Sequence, residues 1–266
     1  MNKIEIAKYL ERINYKDTTA TTTELLSTLQ KLHLLSVPFE NLDIHYKIPI
    51  ELNLTNIFEK VINKRRGGFC YELNGLFYEL LRSVGFNVKM VSARVFDHRQ
   101  QILTPEFDHL AIIAKINSTH YLVDVGFDEF AFRPLKVELN KIQNDERGVF
   151  RIEKYDDEYY KVSKLVDENW MTEYIFSSKE RNLGEFKDMC HYNQTSPQSH
   201  FTQNKLYSLA TEKGRITVTG DKIKIKEGDT KTELPVGSEL EFLSALEKYF
   251  NIRLHDIIPS QQVSLT

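Results

Sequence analysis

The chain has 266 residues, a formal net charge of −3 and 41% hydrophobic residues, proportions that are ordinary for a soluble globular protein. They exclude a disordered chain, and the nearly balanced charge argues against nucleic acid or a membrane as the main partner. The only two cysteines, Cys70 and Cys190, cannot form a disulfide framework, so we expect both to stay reduced in the cytoplasm. The N-terminal segment does not resemble a signal peptide, and no apolar run is long enough to span a bilayer.

The first third of the chain has the periodicity of helices. Residues 21–35 begin with threonines that can cap a helix, and they place five leucines on one stripe: Leu25, Leu26, Leu29, Leu32 and Leu35. Residues 71–84 repeat apolar side chains at three- and four-residue spacing, and Gly85 follows as a stop signal. We therefore predict two amphipathic helices here.

After residue 87 the pattern changes to that of β-strands, because β-branched and aromatic residues dominate. The predicted strands cover residues 88–96, 109–116, 121–127, 148–155, 158–164 and 168–176. Asn117-Ser118 and Asp156-Asp157 have the composition of hairpin turns. A series of short antiparallel strands predicts a barrel or a sandwich.

The last third mixes both kinds of element. Residues 180–190 are compatible with a helix, and residues 216–225 alternate around Gly220-Asp221 as the strands of a hairpin do. Residues 238–250 have the apolar stripe of an amphipathic helix, with Ser238 as its cap.

The segment RGGFCYELNGLF, residues 66–77, is the most informative for chemistry. Gly67 and Gly68 give the backbone unusual freedom just before Cys70, which stands at the start of the clearest helix. A helix N-terminus carries partial positive charge, which lowers the pKa of a thiol and favours the nucleophilic thiolate. The alternative is a buried structural cysteine, the commoner role of a free cysteine and the one that we assign to Cys190.

A thiolate nucleophile needs a base and a group that orients the base, and His109 and Asp124 are the candidates. They lie on the two strands that flank Asn117-Ser118, and a two- or four-residue loop places them on one face of the hairpin, one rung apart. A carboxylate inside the apolar run YLVDVGF is costly to bury without a partner. A strand histidine bonded only to a backbone group remains an alternative for His109, and Asp108 and His98 are the nearest competitors.

Several other kinds of site are not indicated. The sequence has no phosphate-binding loop, no dinucleotide glycine fingerprint and no CxxC or HExxH motif, so we expect no metal site. Nucleophilic catalysis by a cysteine is the chemistry that the residues favour.

RGGFCYELNGLF resembles the active-site segment of the arylamine N-acetyltransferases. Further segments resemble other parts of that family, in the family's order: YLERINY (9–15), VPFENLDIHY (37–46), DHLAII (108–113), YLVDVGF (121–127) and SPQSHF (196–201). The family's catalytic cysteine, histidine and aspartate fall on Cys70, His109 and Asp124, the three residues that the chemistry had already selected.

The resemblance implies an α+β fold in three parts, with a cysteine-protease-like arrangement of the catalytic triad. An N-terminal helical bundle (1–86) carries the nucleophile, a central antiparallel β-barrel (87–190) carries the histidine and the aspartate, and a C-terminal α/β lid (191–266) follows.

The resemblance also points to residues that bind substrate or cofactor: Phe39, Phe107, Gly126, Phe127, Ser199 and Phe201. Packing on the core is an equal alternative for Phe39 and its neighbour Glu40, and Phe107 is similarly ambiguous. We expect Arg66 to pair with an acid inside the bundle. Asp128 and Glu129 follow DVGF where the family often has glycine, and two acids there are expected to weaken or redirect contacts with an anionic cofactor.

The implied activity is acetyl transfer from acetyl-CoA, a cosubstrate, to an arylamine, hydrazine or hydroxylamine through an acetyl-cysteine, in ping-pong order. Cys70 and His109 are expected to rest as a thiolate–imidazolium pair that Asp124 orients. The expected partners are small molecules, with no nucleic acid and no membrane, and the expected state is a monomer or weak dimer. A cysteine hydrolase, an amide synthase that ignores acetyl-CoA and a non-catalytic binding protein are the alternatives.

Overall fold

The computed structural model describes residues 1–17 and 20–257, and its first part is mainly helical, as predicted. The helices are α1 (Lys3–Arg12), α2 (Thr23–Ser36), α3 (Leu42–His45), α4 (Leu54–Phe58) and α5 (Cys70–Val84). A π-helical turn, Glu59–Asn63, continues α4, and a two-residue strand, β1 (Phe39–Glu40), precedes α3. The Thr22 side chain caps α2, and Gly85 ends α5 with a φ of +107°, which glycine adopts readily.

The buried face of α2 contains polar residues as well as the predicted leucines. Leu32 and Leu35 are only partly buried, whereas Gln30 and His33 lie fully in the core. Gln30 donates to a backbone carbonyl oxygen at 2.9 Å, and His33 Nδ1 is bonded to the hydroxyl of Tyr9 at 2.8 Å. Burial lowers the pKa of His33 to about 3, so its ring is buried in the uncharged form.

The middle of the chain forms an almost closed antiparallel barrel. Its strands are β2 (Asn87–Asp97), β3 (Ile102–Leu103), β4 (His109–Ile116), β5 (Thr119–Val123), β6 (Leu135–Lys136), β7 (Ile142–Asp145), β8 (Gly148–Lys154), β9 (Tyr159–Val166) and β10 (Asn169–Ser177). They pair in the order β6-β5-β4-β2-β10-β9-β8-β7, with β3 beside β2. The amide of Gln143 in β7 exchanges two hydrogen bonds with the backbone of Lys136 in β6, which joins the two ends of the sheet.

The hairpin of β4 and β5 has the predicted two-residue turn. Ile116 pairs with Thr119, so only Asn117-Ser118 lies in the turn, and Asn117 has a left-handed φ of +54°. This register keeps His109 and Asp124 on one face, as the sequence analysis requires.

β5 ends at Val123, earlier than the predicted strand over 121–127. The carboxylate of Asp124 accepts hydrogen bonds from the backbone N–H groups of Gly126, at 2.9 Å, and Phe127, at 3.1 Å. An aspartate that bonds the backbone two and three residues ahead bends the chain away from the sheet. Asp124 therefore lies just beyond the strand rather than within it.

The last third contains short helices and a second sheet. The elements are α6 (Lys187–Thr195), α7 (His200–Gln203), β11 (Leu206–Thr211), β12 (Gly214–Thr219), β13 (Lys222–Glu227), β14 (Thr230–Pro235), α8 (Glu239–Phe250) and α9 (Leu254–Ile257). The sheet order is β1-β11-β12-β13-β14. The predicted hairpin around Gly220-Asp221 and the helix capped by Ser238 are both confirmed.

The helix predicted over 180–190 is wrong in position. The N–H of Arg181 donates to the carbonyl oxygen of Met90 at 2.9 Å, so this stretch still pairs with the barrel. A 3₁₀ turn, Leu183–Phe186, follows, and α6 begins only at Lys187.

Two elements do not follow the predicted division into three parts. Residue 190 lies inside α6, and β1 from the helical part pairs with β11 of the C-terminal sheet. The division into 1–86, 87–190 and 191–266 therefore stays a prediction. Within the described ranges, no helix has both the length and the apolar character that a membrane span requires.

Charged side chains are buried behind the start of α5, where two cations pair with three carboxylates. Arg66 donates to Glu40 and to Asp43, at 2.6 Å each. Lys60 lies 2.7 Å from Asp43 and 2.9 Å from Glu72. The structural pairing predicted for Arg66 is confirmed, and it fixes β1 and α3 against the segment that leads to Cys70.

We expect Arg66→Met to lower the free energy of unfolding by about 3–5 kcal/mol, because two buried carboxylates would keep only Lys60 as a partner. Urea denaturation at neutral pH measures this change.

Lys222→Met is the matched control, because it breaks an ion pair at the surface. Lys222 and Glu233 lie 3.6 Å apart with side chains 38% and 59% exposed. The expected cost is about 0–1 kcal/mol. Equal losses in the two variants would contradict the importance of the buried pairs.

Candidate active site

Cys70 is the first residue of α5, and two glycines explain how the chain enters this helix. A Cβ on Gly67 would lie 2.1 Å from a backbone carbonyl oxygen of the segment before β1, and one on Gly68 would lie 2.7 Å from the carboxylate of Glu72. That carboxylate accepts a hydrogen bond from the N–H of Phe69 at 3.1 Å, which satisfies one free donor at the helix start. The glycines are therefore required by close packing immediately before Cys70.

His109 and Asp124 form a hydrogen-bonded pair in the interior. Nε2 of His109 lies 2.7 Å from Oδ2 of Asp124, and the two residues are 2% and 0% exposed. Because Nε2 donates its hydrogen to the carboxylate, Nδ1 is the ring nitrogen left to accept a proton.

Asp124 has further donors around it. Its carboxylate accepts from the amide of Asn74 at 2.8 Å, from the hydroxyl of Tyr174 at 2.9 Å and from the N–H of Gly126. Burial alone would raise the pKa of Asp124, but the charge of His109 and these hydrogen bonds outweigh it and hold the pKa below its usual value. The carboxylate therefore stays ionised and can stabilise a positive charge on His109.

Asn74 and Tyr174 were not predicted from the sequence to belong to the site. Asn74 stands four residues after Cys70, so it lies on the same face of α5, and that spacing was a usable signal. Tyr174 comes from β10, and no local pattern connects it with Asp124.

Gly126 places the Asp124 loop directly against the nucleophile's helix. A Cβ at this position would lie 2.8 Å from the Cα of Cys70 and 2.8 Å from Nδ2 of Asn74. The thiol of Cys70 points at the same region and donates to the carbonyl oxygen of Asp108, the residue before His109, at 3.8 Å. The three predicted catalytic residues thus meet at the junction of α5 and the barrel.

The expectation that the helix start lowers the pKa of Cys70 is wrong for the thiol on its own. Cys70 is only 3% exposed, and burial raises its pKa well above the usual value, with the charges of Asp108 and Asp124 acting in the same direction. A thiolate therefore requires a positive charge nearby, and His109, which directly follows Asp108, is the candidate to supply one.

Four aromatic side chains surround this junction, each at a residue predicted to bind substrate or cofactor. The ring of Phe127 lies edge-on to His109 at 5.4 Å between centroids, and Phe39 lies 6.1 Å from Phe201. Phe107 has a left-handed φ of +70° and precedes His109 by two residues. Phe39, Phe107 and Phe127 are partly exposed, whereas Phe201 is buried.

Ser199 and Glu40 make structural contacts. The hydroxyl of buried Ser199 donates to the side-chain oxygen of Asn193 at 3.0 Å and accepts from the N–H of Phe201. Glu40 is fully buried against Arg66. Of the two roles considered for Glu40, packing inside the bundle is the one that this environment supports.

The acids at 128 and 129 are each matched by a cation. Arg215 of β12 donates to the Asp128 carboxylate at 2.6 Å and also to the Asp128 backbone carbonyl. Lys164 of β9 lies 3.7 Å from the Glu129 carboxylate. The two negative charges are therefore largely compensated beside the candidate site.

Within the described residues, no group of three or more histidine, cysteine, aspartate or glutamate side chains is arranged to hold a metal ion. Both cysteines are free thiols. Cys190 is buried in α6, where the Gln194 amide donates to its sulfur at 3.3 Å, and burial raises its pKa to about 12.

Comparison with known proteins gives consistent results. A family model described as N-acetyltransferase matches residues 22–258. Arylamine N-acetyltransferase 1 from Homo sapiens is 31% identical over 94% of this chain and 95% of its own length. An arylamine N-acetyltransferase from Mycobacterium tuberculosis is 27% identical over 96% of this chain and 91% of its own length.

Solved structures of such proteins have the same fold. The structure of arylamine-N-acetyltransferase from M. tuberculosis superposes with a TM-score of 0.88 at 27% identity, covering 96% of this chain and 97% of that one. An arylamine N-acetyltransferase from Bacillus cereus, described as having a unique Cys-His-Glu catalytic triad, gives 0.87 at 26% identity and covers 96% and 100%. The chain therefore belongs to the arylamine N-acetyltransferase family and is an acyltransferase.

Proposed function

We propose that this chain transfers an acetyl group from acetyl-CoA to an arylamine, hydrazine or hydroxylamine, with Cys70 as nucleophile, His109 as base and Asp124 as the orienting acid. One observation carries the proposal: the buried His109–Asp124 pair lies where the α5 helix begins with Cys70. The relatives, which are arylamine N-acetyltransferases, support an arylamine as the acceptor.

In the first half-reaction the acetyl group moves to the enzyme. The Cys70 thiol gives its proton to Nδ1 of His109, and the resulting thiolate attacks the thioester carbonyl of acetyl-CoA. The new C–S bond forms as the bond to the CoA sulfur breaks, and the departing CoA thiolate takes the proton from His109. Backbone N–H groups at the start of α5, including that of Cys70, stabilise the oxyanion.

In the second half-reaction the acceptor takes the acetyl group from Cys70. The amine nitrogen attacks the acetyl-cysteine carbonyl, His109 removes a proton from that nitrogen, and the Cys70 sulfur leaves and is reprotonated. Asp124 stabilises the imidazolium in both steps because it stays ionised beside Nε2.

The side chains around the junction suit a flat acceptor. Phe39, Phe107, Phe127 and Phe201 supply aromatic surface, against which an aromatic amine packs favourably. Gly126 leaves the space that the Asp124 loop needs against Cys70, and Ser199 supports the segment that carries Phe201. The compensation of Asp128 and Glu129 by Arg215 and Lys164 removes the main electrostatic objection to an anionic cosubstrate.

The cellular compartment is inferred from the cysteine nucleophile. Both cysteines are free, and a catalytic thiol needs reducing surroundings, so we place the enzyme in the cytoplasm, with small molecules as partners. Acetyl-CoA is the acyl donor and no metal takes part in these steps.

We expect Cys70→Ala to abolish acetyl transfer and to leave the fold intact. Intact-protein mass spectrometry after incubation with acetyl-CoA alone should detect one acetyl group on the wild-type chain and none on the variant. Cys190→Ala is the matched control and should be acetylated normally. Iodoacetamide should label Cys70 before Cys190, because in the proposed mechanism His109 accepts the proton of the Cys70 thiol. An active Cys70→Ala enzyme would contradict the nucleophile assignment.

We expect Asp124→Asn to lose most activity and about 3–5 kcal/mol of stability, because a protonated His109 would lose its buried partner. The pKa of Asp124 is lowered in the folded state, so its stabilising contribution is present above the unfolded value of about 3.9 and is lost as the pH falls below it. Urea denaturation from neutral pH to pH 3 should find that the stability difference between the two proteins is constant near neutral pH and begins to narrow only in acid.

Asp108→Asn is the control, since its carboxylate is half-buried and the asparagine oxygen can still accept from Asn193. Its effect on both rate and stability should be mild. If Asp108→Asn were the more damaging change, the acid of the triad would have to be reassigned.

We expect initial-rate plots against acetyl-CoA, taken at several arylamine concentrations, to give parallel lines. CoA must leave before the amine reacts, which is the ping-pong pattern. Intersecting lines would indicate direct transfer in a ternary complex, and hydrolysis of acetyl-CoA at the same rate without amine would indicate a hydrolase.

A further inference from the structure

The two residues before His109 form a turn that the surrounding structure has to hold in place. Phe107 has a φ of +70°, a left-handed conformation that bulky residues rarely adopt. The carbonyl oxygen of Asp108, the next residue, is the group to which the Cys70 thiol donates. This turn therefore lies between the nucleophile and the base, and its conformation determines where β4 begins.

The hydroxyl of Tyr71 joins the turn to α5. It donates to the carbonyl oxygens of Phe107, at 2.9 Å, and Asp108, at 3.1 Å. Tyr71 is fully buried, with its ring edge-on to Phe69 at 5.0 Å between centroids. Because Tyr71 directly follows Cys70 in the first turn of α5, its hydroxyl connects the nucleophile's helix with the base's strand.

Asn193 of α6 completes the connection from the C-terminal part. Its side-chain NH₂ group donates to the Tyr71 hydroxyl and to the Asp108 carboxylate, at 3.1 Å each, and its oxygen accepts from Ser199. Asn193 is 3% exposed, and both of its side-chain hydrogens are used. The Asn193 side chain thus links α6 with α5 and with the turn before His109.

We propose that Tyr71 and Asn193 are positioning residues, whose hydrogen bonds hold the Phe107–Asp108 turn and thereby keep His109 in line with the Cys70 thiol. The inference rests on the proposed acetyl transfer, in which His109 receives the thiol proton. Both side chains act through the turn and not on the reacting atoms. A purely structural role would join α6 to the barrel and affect stability alone.

The test uses Tyr71→Phe, which keeps the buried ring, and Asn193→Leu, which keeps similar volume. Tyr9→Phe is the matched control, because the Tyr9 hydroxyl is also buried and bonded, to His33 in the helical part. Two quantities are measured for each protein: the single-turnover rate of Cys70 acetylation by acetyl-CoA, and the pH dependence of Cys70 alkylation by iodoacetamide.

We expect Tyr71→Phe and Asn193→Leu to slow acetylation by roughly 10- to 100-fold, the effect of a small misplacement of reacting groups. Their alkylation midpoints should move to higher pH, because the thiolate loses its aligned proton acceptor. Tyr9→Phe should keep the wild-type rate and midpoint even though it unfolds at lower urea. The double variant should be little slower than the slower single variant, because both changes release the same turn.

The pH dependence of alkylation reports the arrangement of groups around the Cys70 thiol, because the two variants do not change the charges there. The titratable groups that act on the Cys70 thiol are Asp108 and Asp124 of the barrel, Cys190 of α6 and Tyr71 itself, and His109 is hydrogen-bonded to Asp124. Burial raises the pKa of Tyr71 well above its usual value, so Tyr71→Phe removes only an uncharged hydroxyl. Both variants keep His109, Asp108, Asp124 and Cys190, so a moved midpoint reflects their arrangement.

A wild-type acetylation rate and an unmoved midpoint in Tyr71→Phe would overturn the inference, whatever the stability of the variant. Tyr71→Phe decides alone if Asn193→Leu does not fold, since phenylalanine preserves the packing of the ring. Failure of the wild-type chain to acquire an acetyl group would instead overturn the proposed function, and the alkylation profiles would still test the positioning.

Discussion

The Asp124 carboxylate is the constraint on which the rest of the site depends. It is fully buried, and removing a carboxylate from water costs several kcal/mol unless donors replace the lost hydration. The replacements come from separate elements: His109 from β4, Asn74 from α5, Tyr174 from β10 and the N–H of Gly126 from the loop that Asp124 itself bends. Each element must therefore be in place before the carboxylate is stabilised, so folding of the barrel and assembly of the site are one requirement.

The helix that begins with Cys70 is held from both sides. On the barrel side Asn74 connects α5 to Asp124, and on the bundle side Glu72 caps the helix start and pairs with Lys60. Glu72 and Asn74 lie two and four residues after Cys70, so contacts at both ends of the first helical turn determine the direction in which the thiol points. The buried cations behind α5 thus contribute to the geometry of the site as well as to stability.

Local pattern was sufficient for much of this arrangement. Cap residues and periodicity predicted α5 correctly, and a two-residue turn predicted the register that puts His109 and Asp124 on one face. The partners of Asp124 from distant elements were not predictable in this way. Tyr174 lies 50 residues away along the chain, and local periodicity contains no information about such contacts. The position of α6 was missed for the same reason, because Arg181 pairs with the barrel through its backbone.

The pKa of Cys70 illustrates the difference between local and tertiary effects most clearly. The helix start is a local feature and was predicted correctly. Burial is a tertiary property, and it raises the pKa of the thiol well above its usual value. In the proposed mechanism, a thiolate forms at this buried site only when His109 takes up its proton, and the Asp124 carboxylate balances the charge. Cys190 is equally buried, and its sulfur accepts a hydrogen bond from the Gln194 amide, which cannot take up a proton at neutral pH. Burial thus raises the pKa of both thiols, and in the proposed mechanism the His109–Asp124 pair offsets this effect at Cys70 alone.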